Sequence, residues 1–456
     1  MKKIAFFILI LTNSLVAQEH FAGLTNSKRV GIISTTINPA ELVNMSNKFE
    51  VNVVGTSLNI SNNKIGFSDL FSNNNLETLL FAGSEAVNLR ADAELYLPSV
   101  AMKYKKWAFA FTPKAHGKLS IVDVDSHLGD AITNAALNSV LGSSTTINNN
   151  YNQRINGTTW GEIGLTAGYT LVDNATNKIN VGTTFKLLFP GSYANLGLDK
   201  FQGTINVNTV SGQATLTNTL ANLNIAYSGG LTNSFTNFND YTKSVFGGLN
   251  GFSGDIGVNY QWKDAPETDP KKNMNKYKLN FGLAVRNIGS MTFNDANNNS
   301  SNYILKIQGS QSLNLNQFQN VDNLQQIETI LINSGFLTKT EGTKNFKVKL
   351  PTTFNAYADV KLIPTLFVSG YIQQRVNNDS SNDQITAQNI VTVTPRFNTG
   401  FFEVFAPFTN SSVAGFTSGI GFRVGGFYLG SGSIVTALIN DSKQADFYTG
   451  FRWAFL

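Results

Sequence analysis

Residues Asp446 to Leu456 (DFYTGFRWAFL) set Phe447, Thr449, Phe451, Trp453 and Phe455 against Tyr448, Gly450, Arg452, Ala454 and Leu456 when read alternately. A β-strand sends successive side chains to opposite faces, so one face here carries four large aromatics and the other an arginine. On a soluble edge strand such a face would template aggregation. In a membrane barrel the aromatic face meets lipid and the arginine sits in a wet lumen.

The same alternation recurs upstream. Trp160 to Leu171 separates Ile163, Leu165, Ala167, Tyr169 and Leu171 from Glu162, Gly164, Thr166, Gly168 and Thr170. Lys178 to Pro190 repeats it, and the short polar stretch Val172 to Asn177 between them predicts a transmembrane hairpin. Strands are also predicted from Lys48, over Arg90 to Tyr104 and Lys106 to Val122, and at Ser253 to Trp262, Lys276 to Ser290 and Lys344 to Leu362. Pro364 to Val376, Ile385 to Phe397, Phe401 to Phe408, Phe416 to Gly425 and Phe427 to Ile439 follow before the terminal strand. With weaker stretches between Asp199 and Tyr227, the pattern predicts an all-β fold, a closed antiparallel transmembrane β-barrel of about 14 strands (roughly 12–16) at some 9–11 residues per crossing.

Helical spacing interrupts this in three places: Asp69 to Phe81, Ser126 to Leu141 with Ser126 as its cap, and Val321 to Phe336. Asn/Ser-rich loops are predicted at Asn148 to Arg154, Asp264 to Asn275, Asn294 to Asn302 and Asn377 to Asp383. Asn26 to Met45 does not alternate, and its Asn38-Pro39-Ala40 step fits a helical turn capped by Asn38. We read that stretch as a plug or hatch.

The chain opens with Lys2 and Lys3 followed by an apolar run, Ile4 to Leu11, the pattern of a cleaved signal peptide ending near Ala17. The run is shorter than the roughly 20 residues a spanning helix needs. The expected organisation is therefore a signal at 1–17, a plug or hatch at 18–47 and the barrel at 48–456, in the bacterial outer membrane.

Composition agrees with strands that are half apolar and half polar: only 14% of residues are charged, yet 34 are Phe. No cysteine is present, which removes disulfides, thiol chemistry and a lipid-attachment cysteine. A net charge of +5 without a basic block gives no footprint for nucleic acid. The three histidines, His20, His116 and His127, form no metal-binding or nucleophile motif beyond a weak alternation of Asp123, Asp125 and His127. Gly419 to Gly426 lacks the spacing of a phosphate cradle. No catalytic residue, metal or cofactor is expected, and the chain does not read as an enzyme.

Alternation points Glu162, Lys186, Asp255, Lys278, Arg286, Asp359, Lys361, Arg423 and Arg452 into the lumen. Such charges pair with one another or hold a plug; the alternative is a mildly cationic path that favours anions. On the terminal strand, Phe451, Trp453 and Phe455 form the expected signal for the barrel-assembly machinery.

The chain resembles the long-chain fatty acid transporter (FadL-like) barrels in its signal, its Asn38-Pro39-Ala40 element and its aromatic last strand. It also resembles a Bacteroidota family of outer-membrane barrels of unassigned function through Arg29 to Leu42, Leu350 to Gly370, Gly419 to Ser431 and Tyr448 to Trp453. The first resemblance implies a 14-stranded barrel closed by a hatch around Asn38, Pro39 and Ala40. Two functions follow. One is a passive channel for a hydrophobic or amphipathic small molecule. The other is a permanently plugged barrel that scaffolds surface-secretion or adhesion proteins. The expected surroundings are outer-membrane lipid, with no nucleic acid.

Overall fold

A computed structural model of the chain describes residues 20–25, 27, 31–72, 75–133, 144–208, 210–232, 246–264 and 277–455. The expected signal peptide lies outside them.

Fourteen hydrogen-bonded strands form a ring. In chain order they are β1 (Phe49–Asn62), β2 (Val87–Tyr96 continued by Ser99–Tyr104), β3 (Trp107–Val124), β4 (Asn152–Asp173), β5 (Asn177–Asn208) and β6 (Gly251–Lys263). Next come β7 (Tyr277–Phe293), β8 (Phe346–Lys349 continued by Thr353–Ile363), β9 (Leu366–Arg375) and β10 (Ile390–Asn398). The last four are β11 (Phe402–Phe405 and Phe408–Ser411), β12 (Gly415–Ser418 and Ile420–Val424), β13 (Phe427–Ser431) and β14 (Gln444–Phe455). Each pairs antiparallel with the next, and β14 closes on β1 from Phe49↔Phe455 to Ser61↔Gln444. The breaks in β2, β8 and β11 coincide with Pro98, Pro351 and Pro407, which have no N–H to give a neighbouring strand.

Alternation sorts the wall as the membrane requires. Phe109, Phe111, Leu165, Phe185, Ile256, Phe451 and Trp453 are exposed on the outer face. The inner face is polar and buried, with Glu162, Lys186, Asp255, Asn259, Asp359 and Arg423 almost wholly covered. One end of the ring carries tight turns, such as Tyr104 to Trp107, Asp173 to Asn177, Ile363 to Leu366 and Val424 to Phe427. The other end carries the long connections.

Above that long-loop end β5 continues past the wall and pairs with two further strands, Ser144–Asn148 and Gln213–Ser228. Asn299–Ile307 adds to Gln213–Ser228, and Leu337–Thr343 adds to Asn299–Ile307. This accessory sheet buries Ile205, Leu216, Leu223, Ile225, Leu305 and Ile307 beside helices α2 (Ser126–Thr133) and α3 (Leu324–Asn333), while α1 (Leu76–Leu80) packs on α2. The part of the expected second helix beyond Thr133 lies outside the described residues. One expectation fails in kind: Phe427 to Ile439 is not one strand but β13 followed by a helix, α4 (Ile434–Asn440).

Candidate functional site

The ring encloses the N-terminal segment from His20 to Met45. It begins with Phe21, buried among Tyr96, Tyr428 and Tyr448 with ring centroids 5.7, 6.1 and 5.7 Å away. Two short 3-10 turns, Gly31–Thr36 and Pro39–Asn44, then cross the lumen. Pro39 opens the second turn and Asn38 caps it, its Oδ1 accepting from the Ala40 N–H at 2.9 Å. The Asn38 amide also donates to the carbonyls of Val258 (2.8 Å) and Leu283 (3.3 Å), so the cap is seated on the wall. Two wall glycines permit this approach: a Cβ on Gly257 would lie 2.1 Å from Asn38 Oδ1, and one on Gly182 2.5 Å from Ala40 N.

Two carboxylates complete the seat. Glu41 accepts from Asn259 and Asn280, both at 2.8 Å, and from the Tyr357 hydroxyl. Glu50 accepts from the Ile32 N–H and from Arg452 Nη1, each at 2.9 Å. Ser27 donates to Glu403 at 2.7 Å, and Arg396 joins Glu403 (2.8 Å) to Asp359 (2.5 Å). Arg423 adds a second cation to Glu403 at 3.1 Å. Buried charges of this kind persist only when paired and hydrogen-bonded.

A second segment closes the long-loop end. Residues 377–389, between β9 and β10, fold inward across the mouth. Asp379 pairs with Arg90 on β2 and Arg375 on β9. Arg154 on β4 donates to the carbonyls of Asp379 (2.7 Å) and Gln384 (2.9 Å). Ser120 on β3 meets Thr386 at 2.8 Å, and Ile385 is buried beside Trp160, Tyr193, Phe293 and Val348. The sequence predicts a solvated loop only over Asn377 to Asp383 and a strand from Ile385, whereas the strand begins at Ile390; the polar residues give no sign of the arginines on distant strands that receive them.

Between the two closures lies a chamber of about 70 Å³ lined by His20, Thr36 and Ile37 below, Ala387 above, and a charged wall. Lys186 bridges Asp255 (3.0 Å) and Glu162 (3.7 Å), Lys114 holds Glu94 at 3.1 Å, and His116 stacks on Trp160 while approaching Glu162 at 3.5 Å. Arg286 faces Asp255 at 3.9 Å. Lys361 sits at the short-turn rim beside Asp264.

Lys278 is a correction. It is exposed, with its ammonium 5.2 Å from the Trp262 ring, because a register shift between Tyr277 and Leu279 breaks the alternation. The expected basic excess also fails. Reading alternation missed the buried acids Glu41, Glu50, Asp92, Glu94, Asp379 and Glu403 and also the buried cations Arg90, Lys114, Arg154 and Arg396, and together these leave the two signs about balanced. Asp125 caps α2 by accepting from the N–H groups of His127 (3.0 Å) and Leu128 (3.4 Å). On β14, Phe451 and Trp453 face outward while Arg452 is inside; the side chain of Phe455 lies outside the described residues.

A second cavity is apolar and sits under the accessory sheet. It measures about 250 Å³ and is walled by Leu196, Phe201, Leu216 and Leu223 of the sheet, Leu128 and Ile132 of α2, and Ile327 and Leu331 of α3. Its size and lining suit a small apolar molecule. Arg154 lies at its margin, so the residue that grips the mouth loop also touches the pocket. Sequence reading missed this site because its lining comes from six separate stretches of chain.

No curated protein matches the chain. Among solved structures it is similar to a "TodX deltaS2S3 mutant monoaromatic hydrocarbon channel", at 8% identity and a TM-score of 0.46, covering 93% of this chain and 95% of that one. It is also similar to the toluene transporter TbuX of Ralstonia pickettii (10% identity, TM-score 0.42, 95% and 97% covered). The toluene transporter TodX of Pseudomonas putida follows (8% identity, TM-score 0.41, 96% and 98% covered). A family model described as "Family of unknown function (DUF5723)" matches residues 39–432.

Proposed function

The chain belongs to that family of unknown function, DUF5723, and we propose that it is an outer-membrane barrel that takes up a small hydrophobic molecule. In membrane barrels of this kind the long loops face outward and the short turns face the periplasm, which orients the accessory sheet to the cell exterior. The apolar pocket of about 250 Å³ carries the reading, because a purely structural lobe would close-pack that space. An apolar guest enters it, and the shared Arg154 couples its occupancy to the mouth loop. The segment around Asn38, Pro39 and Ala40 acts as a hatch that must shift for release into the periplasm. Phe451, Trp453 and Phe455 serve the barrel-assembly machinery.

The density of buried bonds on that segment favours a second reading, a barrel sealed for good that scaffolds surface or secretion proteins. Liposomes holding the purified barrel separate the two. Uptake of an apolar fluorophore, its loss in Leu216→Asp, and a rise when residues 25–45 are removed are the expected results. A barrel that stays impermeable without residues 25–45 would sink hatch gating.

A further inference from the structure

β13 is only five residues long, and above it the wall is incomplete. The upper piece of β12, Gly415–Ser418, pairs with β11 and, among the described pairings, with nothing on its other side. The upper end of β14, Gln444 to Phe447, pairs with β1, while β13 reaches only Tyr448 to Phe451. Helix α4 spans this gap and touches both edges. The Ser418 N–H donates to Thr436 Oγ1 at 2.6 Å.

A helix is a poor choice for this segment. Ile434, Val435, Thr436 and Ile439 are β-branched and favour strands. Ser433 makes no side-chain cap, none of the helical residues is buried, and Asp441 at the far end is held at a left-handed φ of 46°. Leu438 and Ile439 stand 78% and 79% exposed. What turns the chain aside is Asp446, whose carboxylate accepts from the Gly432 N–H (2.6 Å) and the Ser433 hydroxyl (2.5 Å).

The two open edges run in the same direction, so a strand continuing β13 would be antiparallel to both. Extending the registers Ile420↔Ser431 and Gly430↔Tyr448 sets Ser433 opposite Ser418 and Ala445, Ile434 opposite Thr417 and Gln444, and Val435 opposite Phe416. Phe416 faces lipid, so Val435 would too.

We propose that residues 432–440 are a helix-to-strand switch in the barrel wall, latched in the helical form by Asp446. As a strand the segment completes the wall. As a helix it leaves a slot in the outer half of the barrel, beside the hatch: a Cβ on Gly432 would lie 2.9 Å from Ala22 Cβ. Passage of an apolar molecule through the slot rests on the uptake reading; the switch does not.

The chain has no cysteine, so engineered pairs test it cleanly. Ser418 Oγ and Thr436 Oγ1 are 3.1 Å apart, so Ser418→Cys with Thr436→Cys reports the helix. Phe416→Cys with Val435→Cys, which the extended register sets opposite one another away from the Gly419–Gly432 hinge, reports the strand. In outer-membrane vesicles under mild oxidant each pair is expected to cross-link, and Asp446→Asn to raise the strand pair's yield at least threefold. Complete cross-linking of the helix pair with none of the strand pair, with or without Asp446→Asn, overturns the switch. With both pairs formed, slower fluorophore uptake in the strand-locked barrel, restored by reductant, supports the slot as a route. Unchanged uptake there rules out that route and leaves the switch standing.

Discussion

Arg154 Nη1 donates to the backbone carbonyl of Asp379 at 2.7 Å, joining the fourth strand of the wall to a loop that enters from the opposite side of the mouth. With the bond to the Gln384 carbonyl at 2.9 Å, one guanidinium holds the inward stretch at two points.

Replacing Arg154 with Met should therefore free the loop. Hydrogen bonds from a charged donor contribute roughly 1.5–3 kcal/mol each, so residues 377–389 should gain amide exchange by at least tenfold. Asp379→Asn should do less, since Arg154 uses the main chain there. Equal exchange in the two variants would contradict this account of the latch.

Gly257→Ala tests the seat of the N-terminal segment. Its methyl would fall 2.1 Å from Asn38 Oδ1 and 2.9 Å from its Cγ, with Ala284 Cβ at 3.2 Å, so the capping side chain must leave its seat. Protease nicking of the segment around Asn38 and a higher single-channel conductance in planar bilayers are expected. Gly370→Ala, whose Cβ meets nothing within 4 Å, serves as the silent control.

The Arg396 pairs should be costly to break from one side. Its removal in Arg396→Met leaves Asp359 and Glu403 buried, one carboxylate without its closest cation and the other with Arg423 alone. One-sided loss of a buried pair costs about 3–5 kcal/mol, so the barrel should unfold at a clearly lower temperature when its heat-modifiable mobility is followed on gels. Adding Asp359→Asn should recover part of the loss.

The accessory sheet should weaken in strong alkali. Burial, and then the bond to Glu328, pushes the hydroxyls of Tyr227 and Tyr303 up to about 12 from a usual 10. Because the folded values are the higher ones, their contribution is complete below pH 10 and is lost as pH climbs from 10 through about 12. Glu328→Gln should bring both phenols down, seen as earlier absorbance at 295 nm in a difference titration. An unchanged curve would remove Glu328 from the explanation.

Local pattern made the barrel legible. The aromatic face of β14, the hairpin of β4 and β5, and the cap at Asn38 follow from period-two alternation and from the turn chemistry of Asn-Pro, both properties of neighbouring residues. Alternation failed where the backbone slips, as at Lys278 beside a register shift, and where a carboxylate redirects the chain, as at α4. It also undercounted acids: Glu94 and Glu403 look like any polar strand position until Lys114 and Arg396 are seen across from them.

What the sequence settles by itself is which face a residue takes along a regular strand, the apolar outer wall or the polar lumen, because that depends on spacing alone. Which residues meet across the lumen depends on how fourteen strands close and stagger. Only that closure brings Arg154 of β4 to a loop more than two hundred residues later, gathers the apolar pocket from six stretches, and leaves β12 and β14 facing a gap. Contacts of such long separation are decided by the geometry of the ring as a whole, and no local run of residues encodes them.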